Sequence, residues 1–217
     1  MPKNTPTDNA DIPRKRRKGA EERQEEIVQV AIELAAKSGV DAVTTQDMAN
    51  AMGLTQGAIF RHFPTKDEIW LAAIRWIRIG LLSVVETAAA RSENPLEALE
   101  NIFFAHLSFI SRHPGFPRIV FSDQLLRRDT RLKQLIQEVI TGYEGKIAAI
   151  LTQAKATGFA RPDLDESSAA TLFIGMIQGL VLQWNLFGSQ RALPEAAKKV
   201  FPIYLDGIRS RNNEEQV

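Results

Sequence analysis

Apolar residues recur along this chain at helical spacing, and no stretch shows the period-2 alternation with turn punctuation that a sheet requires. Ile27, Val30, Ala31 and Leu34 stand at i, i+3, i+4 and i+7, the stripe of a core-facing helix running from about Glu21, and Gly39 supplies its stop. Thr44 with Asp47 three residues on forms a short-armed capping box that opens a brief helix ending at Gly53, and Thr55 caps another through about His62. Thr65 with Glu68 is a full capping box for a long helix that continues from Ile69 to about Ala90. Ser92-Glu93-Asn94-Pro95 breaks it, Pro95 suits the first position of the next helix, and His113-Pro114-Gly115 ends that one after Arg112. A shorter, less periodic stretch spans Phe116 to Leu126. Helices follow from about Asp129 to Gly158, Leu164 to Gly188 and Pro194 to Arg209. The pattern predicts an all-α protein of about nine helices with no internal repeat.

Thr45 to Phe60 carries a more specific signal. A helix-turn-helix needs a small residue where its two helices cross closely, and Ala49 stands there; it needs a turn residue tolerant of positive φ, and Gly53 lies four residues later. Met48, Met52, Leu54 and Ile59 form the apolar inner set that holds the helices at a fixed angle. An ordinary pair of short bundle helices explains the apolar set but not the small residue, glycine and threonine cap at these offsets together.

With the stripe of the first helix, Thr44-Thr45, Asp47-Met48-Ala49, Gly53-Leu54, Gly57-Ala58-Ile59-Phe60, His62-Phe63-Pro64 and Lys66-Asp67-Glu68, residues 22–72 resemble the DNA-binding domain of the tetracycline-repressor (TetR) family. Over the rest only a count of six long or medium helices agrees. The resemblance implies a cytoplasmic, homodimeric transcription regulator, most often a repressor, with a C-terminal helical domain that dimerises and binds a small effector. It divides the chain into a basic arm (1–18), a three-helix DNA-binding domain (19–66) and an effector-binding and dimerisation bundle (67–217).

In such docking the first residues of the second helix meet base edges in the major groove. Here those are Thr55, Gln56, Gly57 and Ala58. Gln56 suits an adenine edge, Ala58 offers a methyl to thymine, and Gly57 lets the backbone approach closely. Arg61 is expected on a guanine or phosphate, Thr45 and Gln46 near the backbone of the opposite strand, and His62 and Lys66 on phosphates, aided by the helix N-terminus near Lys66. Two positions depart from the family's common pattern. Phe60 stands where a tyrosine hydroxyl often reaches a phosphate, and Gln56 where lysine is frequent.

The composition narrows the chemistry. With 217 residues and 44% of them hydrophobic, the chain is globular. It has no cysteine, which removes disulfides, thiol catalysis and Cys-ligated zinc, and only three histidines, His62, His106 and His113, none spaced with carboxylates as a triad or metal site. No catalytic residue, metal or cofactor is expected. Acidic Glu21, Glu22, Glu25 and Glu26 follow the basic N-terminus where a secretory signal would carry an apolar run.

The formal net charge is only +1, but it is unevenly placed. Residues 1–18 carry six basic against two acidic side chains, residues 19–66 four against seven, and residues 67–217 seventeen of each. The first thirteen residues are polar and Pro-containing, too poor in apolar side chains to order themselves. The run Arg14–Lys18 either solubilises the chain or lies along DNA phosphates and gains affinity by counterion release. The losses at Phe60 and Gln56 favour the second reading.

In the C-terminal half no charged residue occurs from Ser167 to Gln190, a span long enough for a bilayer. Gln178, Gln183, Asn185 and the small residues argue instead for a helix buried by a partner copy, and no membrane contact is expected. Gly175 and Gly179 on that helix, with Val200, Tyr204 and Ile208 on the last, are the predicted dimer interface, an isologous four-helix contact. Aromatic residues cluster in this half, and core packing accounts for most of them. Apolar helices here also carry polar groups such as His106 and Gln124, the composition of a small-molecule pocket. The predicted wall is Phe103, His106, Phe109, Phe121, Gln124, Phe173, Met176, Ile177 and Trp184, and its lack of charge points to a hydrophobic or aromatic effector. The expected function is a dimeric repressor bound to a palindromic double-stranded operator and released by such a molecule. The alternative is a ligand-independent DNA-binding or adaptor protein with a solid C-terminal core.

Overall fold

The computed structural model describes residues 19–188 and 192–210. These form ten helices and no strand: α1 (Ala20–Ser38), α2 (Thr45–Met52), α3 (Gln56–Phe60), α4 (Lys66–Ala90), α5 (Pro95–Arg112), α6 (Gly115–Val120), α7 (Asp123–Arg128), α8 (Thr130–Ala156), α9 (Glu166–Phe187) and α10 (Leu193–Ile208). The basic arm lies outside the described residues. The aperiodic stretch after Arg112 resolves into two short helices, α6 and α7, which is why the sequence count of about nine falls one short. Ser122 separates them by capping α7, its hydroxyl accepting from the Leu125 N–H.

Caps set most of the helix starts. Thr44 and Asp47 form the reciprocal box, Asp47 N–H donating to the Thr44 hydroxyl at 3.1 Å and Thr44 N–H to the Asp47 carboxylate at 2.8 Å. The Thr44 hydroxyl, donating to the Asp47 carboxylate at 2.6 Å, and then the Thr44 N–H hold that carboxyl below its ordinary pKa. Gly53 closes α2 in the left-handed region at φ 64°, where a Cβ would be strained. Thr65 caps α4, but the full box expected there is half made: Glu68 gives its N–H to Thr65, while its carboxylate takes the Arg131 guanidinium at 2.8 Å.

On α1 the stripe is turned by one residue from the predicted one. Ile27, Val28, Ala31, Ile32 and Ala35 are buried, whereas Val30 and Leu34 are half-buried at its margin. The reason is that α1 packs on α2, α4 and α6 together and so buries a wider face than a single partner would need.

α1 to α3 pack around Ile27, Ala31, Met48, Ala49 and Ile59. α4 leaves this cluster and runs into a bundle with α5, α8, α9 and α10, whose centre is Leu99, Ile102, Phe103, Leu151, Phe173 and Phe201. The two cores are continuous through α4 and α6. α9 is long and apolar enough to cross a membrane. One face of it, carrying Phe173, Ile174, Ile177 and Val181, is buried against the bundle. Pro202 lies on the exposed side of α10, where water can bond the carbonyl that its missing N–H leaves free.

Candidate nucleic-acid interface and apolar cavity

The exposed face of the helix-turn-helix is built from two helix starts. Thr55 caps α3, accepting from Ala58 N–H at 3.2 Å, and leaves Thr55, Gln56 and Gly57 exposed at its N-terminal end. Gln56 does not point freely outward: its amide nitrogen donates to the Thr45 hydroxyl at 2.8 Å, tying the start of α3 to the start of α2. That bond leaves the Gln56 carbonyl oxygen for an exposed partner. Thr45 itself is buried, so of the two α2 residues expected near a phosphate only Gln46 is exposed, and its amide is bonded to Asn50 at 2.8 Å. Ala58 is half-buried. Phe60 is 43% exposed at the end of α3, with Arg61 exposed beside it.

His62 and Lys66 behave differently from each other. His62 is half-buried, and its carbonyl accepts from the Gln24 side chain, which fixes the turn after α3 against α1. Lys66 turns back: its Nζ lies 3.5 Å from the Val40 carbonyl and 6.0 Å from the Trp70 ring, and desolvation by burial, with the Arg128 charge second, lowers its pKa. In this conformation it reaches the loop between α1 and α2 and not an outward phosphate.

Gly115, Asp67, Glu68 and Gln124 stand out in the sequence for other reasons, but no local pattern marks them as the residues that join the helix-turn-helix to the bundle. Gly115, at the start of α6, sits so close to α1 that a Cβ would collide with the Ile32 carbonyl oxygen. Arg128 pairs with Asp67 at 2.6 Å, Arg131 with Glu68 at 2.8 Å, and Gln124, its amide nitrogen turned to α1–α2, donates to the Asp41 carboxylate at 3.1 and 3.3 Å. Asp67 and Glu68 begin α4, so α7 and the start of α8 are strapped to the helix leaving the DNA-binding part. These are partly exposed ion pairs of small individual worth, but they fix a direction.

The bundle holds an apolar cavity of about 70 Å³. Its wall is Ile74, Ile77 and Leu81 from α4, His106 and Ile110 from α5, Phe116, Pro117 and Val120 from α6, Ile136, Ile140 and Tyr143 from α8, and Ile174, Ile177 and Gln178 from α9. Phe121 lines it and is 49% exposed, marking where it reaches the surface. Of the nine predicted wall residues, His106, Phe121 and Ile177 are there. Phe103 and Phe173 instead stack against each other and Phe201 in the core, with centroids 5.7 and 4.9 Å from Phe103. Phe109 packs on His113 at 4.7 Å and against Gly80. Gln124 reaches Asp41, Met176 faces a groove beside α10, and Trp184 is half-buried near the end of α9.

Helical geometry explains the misplacement. Residues on α5 advance about 100° each, so 106 and 110 share a face, while 103 and 109 lie about 60° to either side of 106 and meet other neighbours. Tyr143, Ile174 and Gln178 were missed as wall residues because nothing local marks which face of α8 or α9 turns inward.

Among the described residues, the opposite face of α9 leaves apolar side chains exposed. Leu172, Gly175, Leu182 and Leu186 are exposed there, and a Cβ on Gly175 or Gly179 would meet open space. Of these only Leu172, with Met176 of α9 and Val200, Ile203, Tyr204, Gly207 and Ile208 of α10, borders a groove of about 390 Å³. Tyr204 and Ile208, predicted at a dimer contact, are buried within the chain, the Tyr204 hydroxyl donating to the Ala169 carbonyl at 3.0 Å.

Comparison with known proteins bears on both parts. Residues 27–73 match the family described as bacterial regulatory proteins, tetR family, and residues 95–200 match the tetracyclin repressor-like C-terminal domain. The nucleoid occlusion factor SlmA of Glaesserella parasuis serovar 5 is 30% identical over 168 residues, 77% of this chain and 83% of that protein. Among solved structures, the fatty acid degradation regulator FadR of Bacillus halodurans superposes with a TM-score of 0.76 at 21% identity, covering 90% of this chain and all of the other. FadR of Bacillus subtilis, solved with stearoyl-CoA, gives 0.74 at 22% identity over 85% of this chain and 99% of that one.

Proposed function

This chain belongs to the tetR family of bacterial regulatory proteins, DNA-binding helix-turn-helix transcription regulators, and within that family we propose that it is a cytoplasmic, homodimeric repressor released from its operator by a small apolar effector. The observation that carries the reading is the double role of α6: Phe116, Pro117 and Val120 wall the cavity, while Gly115 is seated on α1 of the helix-turn-helix. A molecule that fills the cavity pushes on α6, and the rigid Gly115–Ile32 contact passes the displacement to α1. The straps from α7 and α8 to Asp67 and Glu68 carry the same displacement to the start of α4.

The division at 19–66 and 67–217 follows this arrangement, although the first family match runs two turns into α4. Two copies joined through the bare α9–α10 face place their recognition helices about 34–36 Å apart, one DNA turn, and read a palindrome with Gln56, Gly57, Ala58 and Arg61 on bases and Gln46, Phe60 and His62 near the backbone. Effector and operator then weaken each other equally, with a coupling of about 1–3 kcal/mol.

Selection of bound sequences from random DNA tests the first half of the reading. The expected product is a palindrome with half-sites about 10 bp apart. Titrating that operator complex with a small-molecule library tests the second, and an operator affinity indifferent to every molecule that binds the cavity sinks it. A second reading has an observation of its own. The cavity is well below the 300 Å³ or more usual for ligand pockets, and the curated relative is named for nucleoid occlusion. In that reading the chain is a ligand-independent DNA-bound protein, and the library finds no releasing molecule.

A further inference from the structure

The cavity contains one polar atom with nothing to bond. His106 is fully buried on α5, its Nδ1 lies 3.1 Å from the Tyr143 hydroxyl on α8, and its Nε2 has no partner, the one side-chain atom so left among the described residues. Both rings line the void. Desolvation keeps both neutral: it pushes the His106 pKa down to about 3 and raises that of Tyr143.

Counting protons decides which kind of group Nε2 is. Each neutral ring brings one proton, and one hydrogen bond joins them. Were Nδ1 protonated, it would donate to Tyr143, leaving both the tyrosine proton and the Nε2 lone pair unpaired. With Tyr143 donating to Nδ1, only the Nε2–H remains. The second arrangement leaves one buried group unsatisfied instead of two, and is favoured by the cost of the extra one.

We infer that the cavity takes an uncharged, largely apolar molecule bearing one carbonyl oxygen, as in a ketone, aldehyde or ester, which accepts from His106 Nε2–H while its hydrocarbon chain runs between α6, α8 and α9 toward Phe121. The inference rests on the effector role proposed for the same cavity. No Lys, Arg, Asp or Glu lines the wall, so an ionised ligand would enter without a counter-charge. At about 70 Å³ the void is roughly half the size of a cavity that holds benzene, so it encloses the carbonyl end of a slim unbranched chain whose remainder leaves past the exposed Phe121, and not a fused ring system.

The test uses the full chain and a pair of isosteric probes, 2-octanone and 2-methyl-1-octene, which differ by C=O against C=CH2. Nitrogen-15 spectra of the histidine side chains are expected to show His106 as the Nε2–H tautomer, and 2-octanone to shift that N–H and bind about tenfold tighter than the alkene. His106→Phe is expected to abolish the difference; the wild-type measurements stand by themselves if that variant fails to fold. An Nδ1–H tautomer, equal affinities, a bound water that neither probe displaces, or no shift at His106 with either probe each overturns the inference. Operator affinity, measured separately by fluorescence anisotropy, keeps the two ideas apart. If 2-octanone engages His106 and neither it nor any other molecule that binds the cavity releases the operator, the ligand chemistry stands and the effector role falls. If another molecule releases the operator without touching His106, the effector role stands and the ligand chemistry falls.

Discussion

At residue 60 the lack of one hydroxyl tests the proposed docking of the recognition helix. Phe60 stands exposed at the end of α3, where the proposed docking would bring a phenol to a backbone phosphate. Phe60→Tyr is expected to tighten operator binding several-fold, about 1 kcal/mol, by fluorescence anisotropy, with the melting temperature unchanged. His106 makes a second residue-scale prediction, in stability. Its pKa is about 3 when folded and near 6.5 when unfolded, so between those values the unfolded chain binds the extra proton and stability falls as pH falls. Urea midpoints are expected to drop below pH 6.5 at up to about 1.4 kcal/mol per pH unit from this one group, and His106→Phe to remove that component of the slope. The apolar neighbours of His106 on α5 announce its burial, but nothing local names its partner Tyr143, 37 residues away. Thr44 and Asp47, by contrast, were legible because cap and partner are three residues apart.

Among the elements, α6 has the closest tolerance. Gly115→Ala is expected to cost about 1–3 kcal/mol in urea unfolding, since its methyl has no room against the Ile32 backbone, and to loosen the path from cavity to DNA. A control at Gly142, where a Cβ meets open space in the middle of α8, is expected to be stabilised by replacement with alanine, by about 0.5–1 kcal/mol. Helix positions were readable from the chain, because periodicity and caps are local. The faces of α5 and α9 were not. α5 is buried on most of its circumference, so its stripe does not say which neighbour each residue meets. The cavity takes His106 and Ile110, not Phe103 and Phe109, only because α4, α6, α8 and α9 converge on that side.

On the scale of the molecule, the exposed apolar side of α9 is the surface on which the proposed dimer is tested. Leu186 is 71% exposed and lies opposite the buried Ile177 face. Leu186→Glu is expected to turn a dimer into a monomer in analytical ultracentrifugation and to weaken operator binding at least about a hundredfold, because half-site pairing is lost. Deleting residues 1–18 removes six basic side chains and is expected to flatten the salt dependence of operator binding. An unchanged slope would assign the arm to solubility alone.

The sequence by itself determined the all-α class, the ends of most helices and the helix-turn-helix, since each depends on residues within about a dozen positions of one another. The tertiary structure decided the rest. It shows that Gln56 is tied to Thr45, that Glu68 left its cap for Arg131, that Gln124 serves the α1–α2 loop, and that Tyr204 faces the core. Gln56 and Thr45 stand on separate helices 11 positions apart, and the other partners lie from 35 to 83 positions apart along the chain. Local spacing cannot encode which distant surface a helix face will meet, and in this protein the cavity and the strap to the DNA-binding helices consist of such meetings.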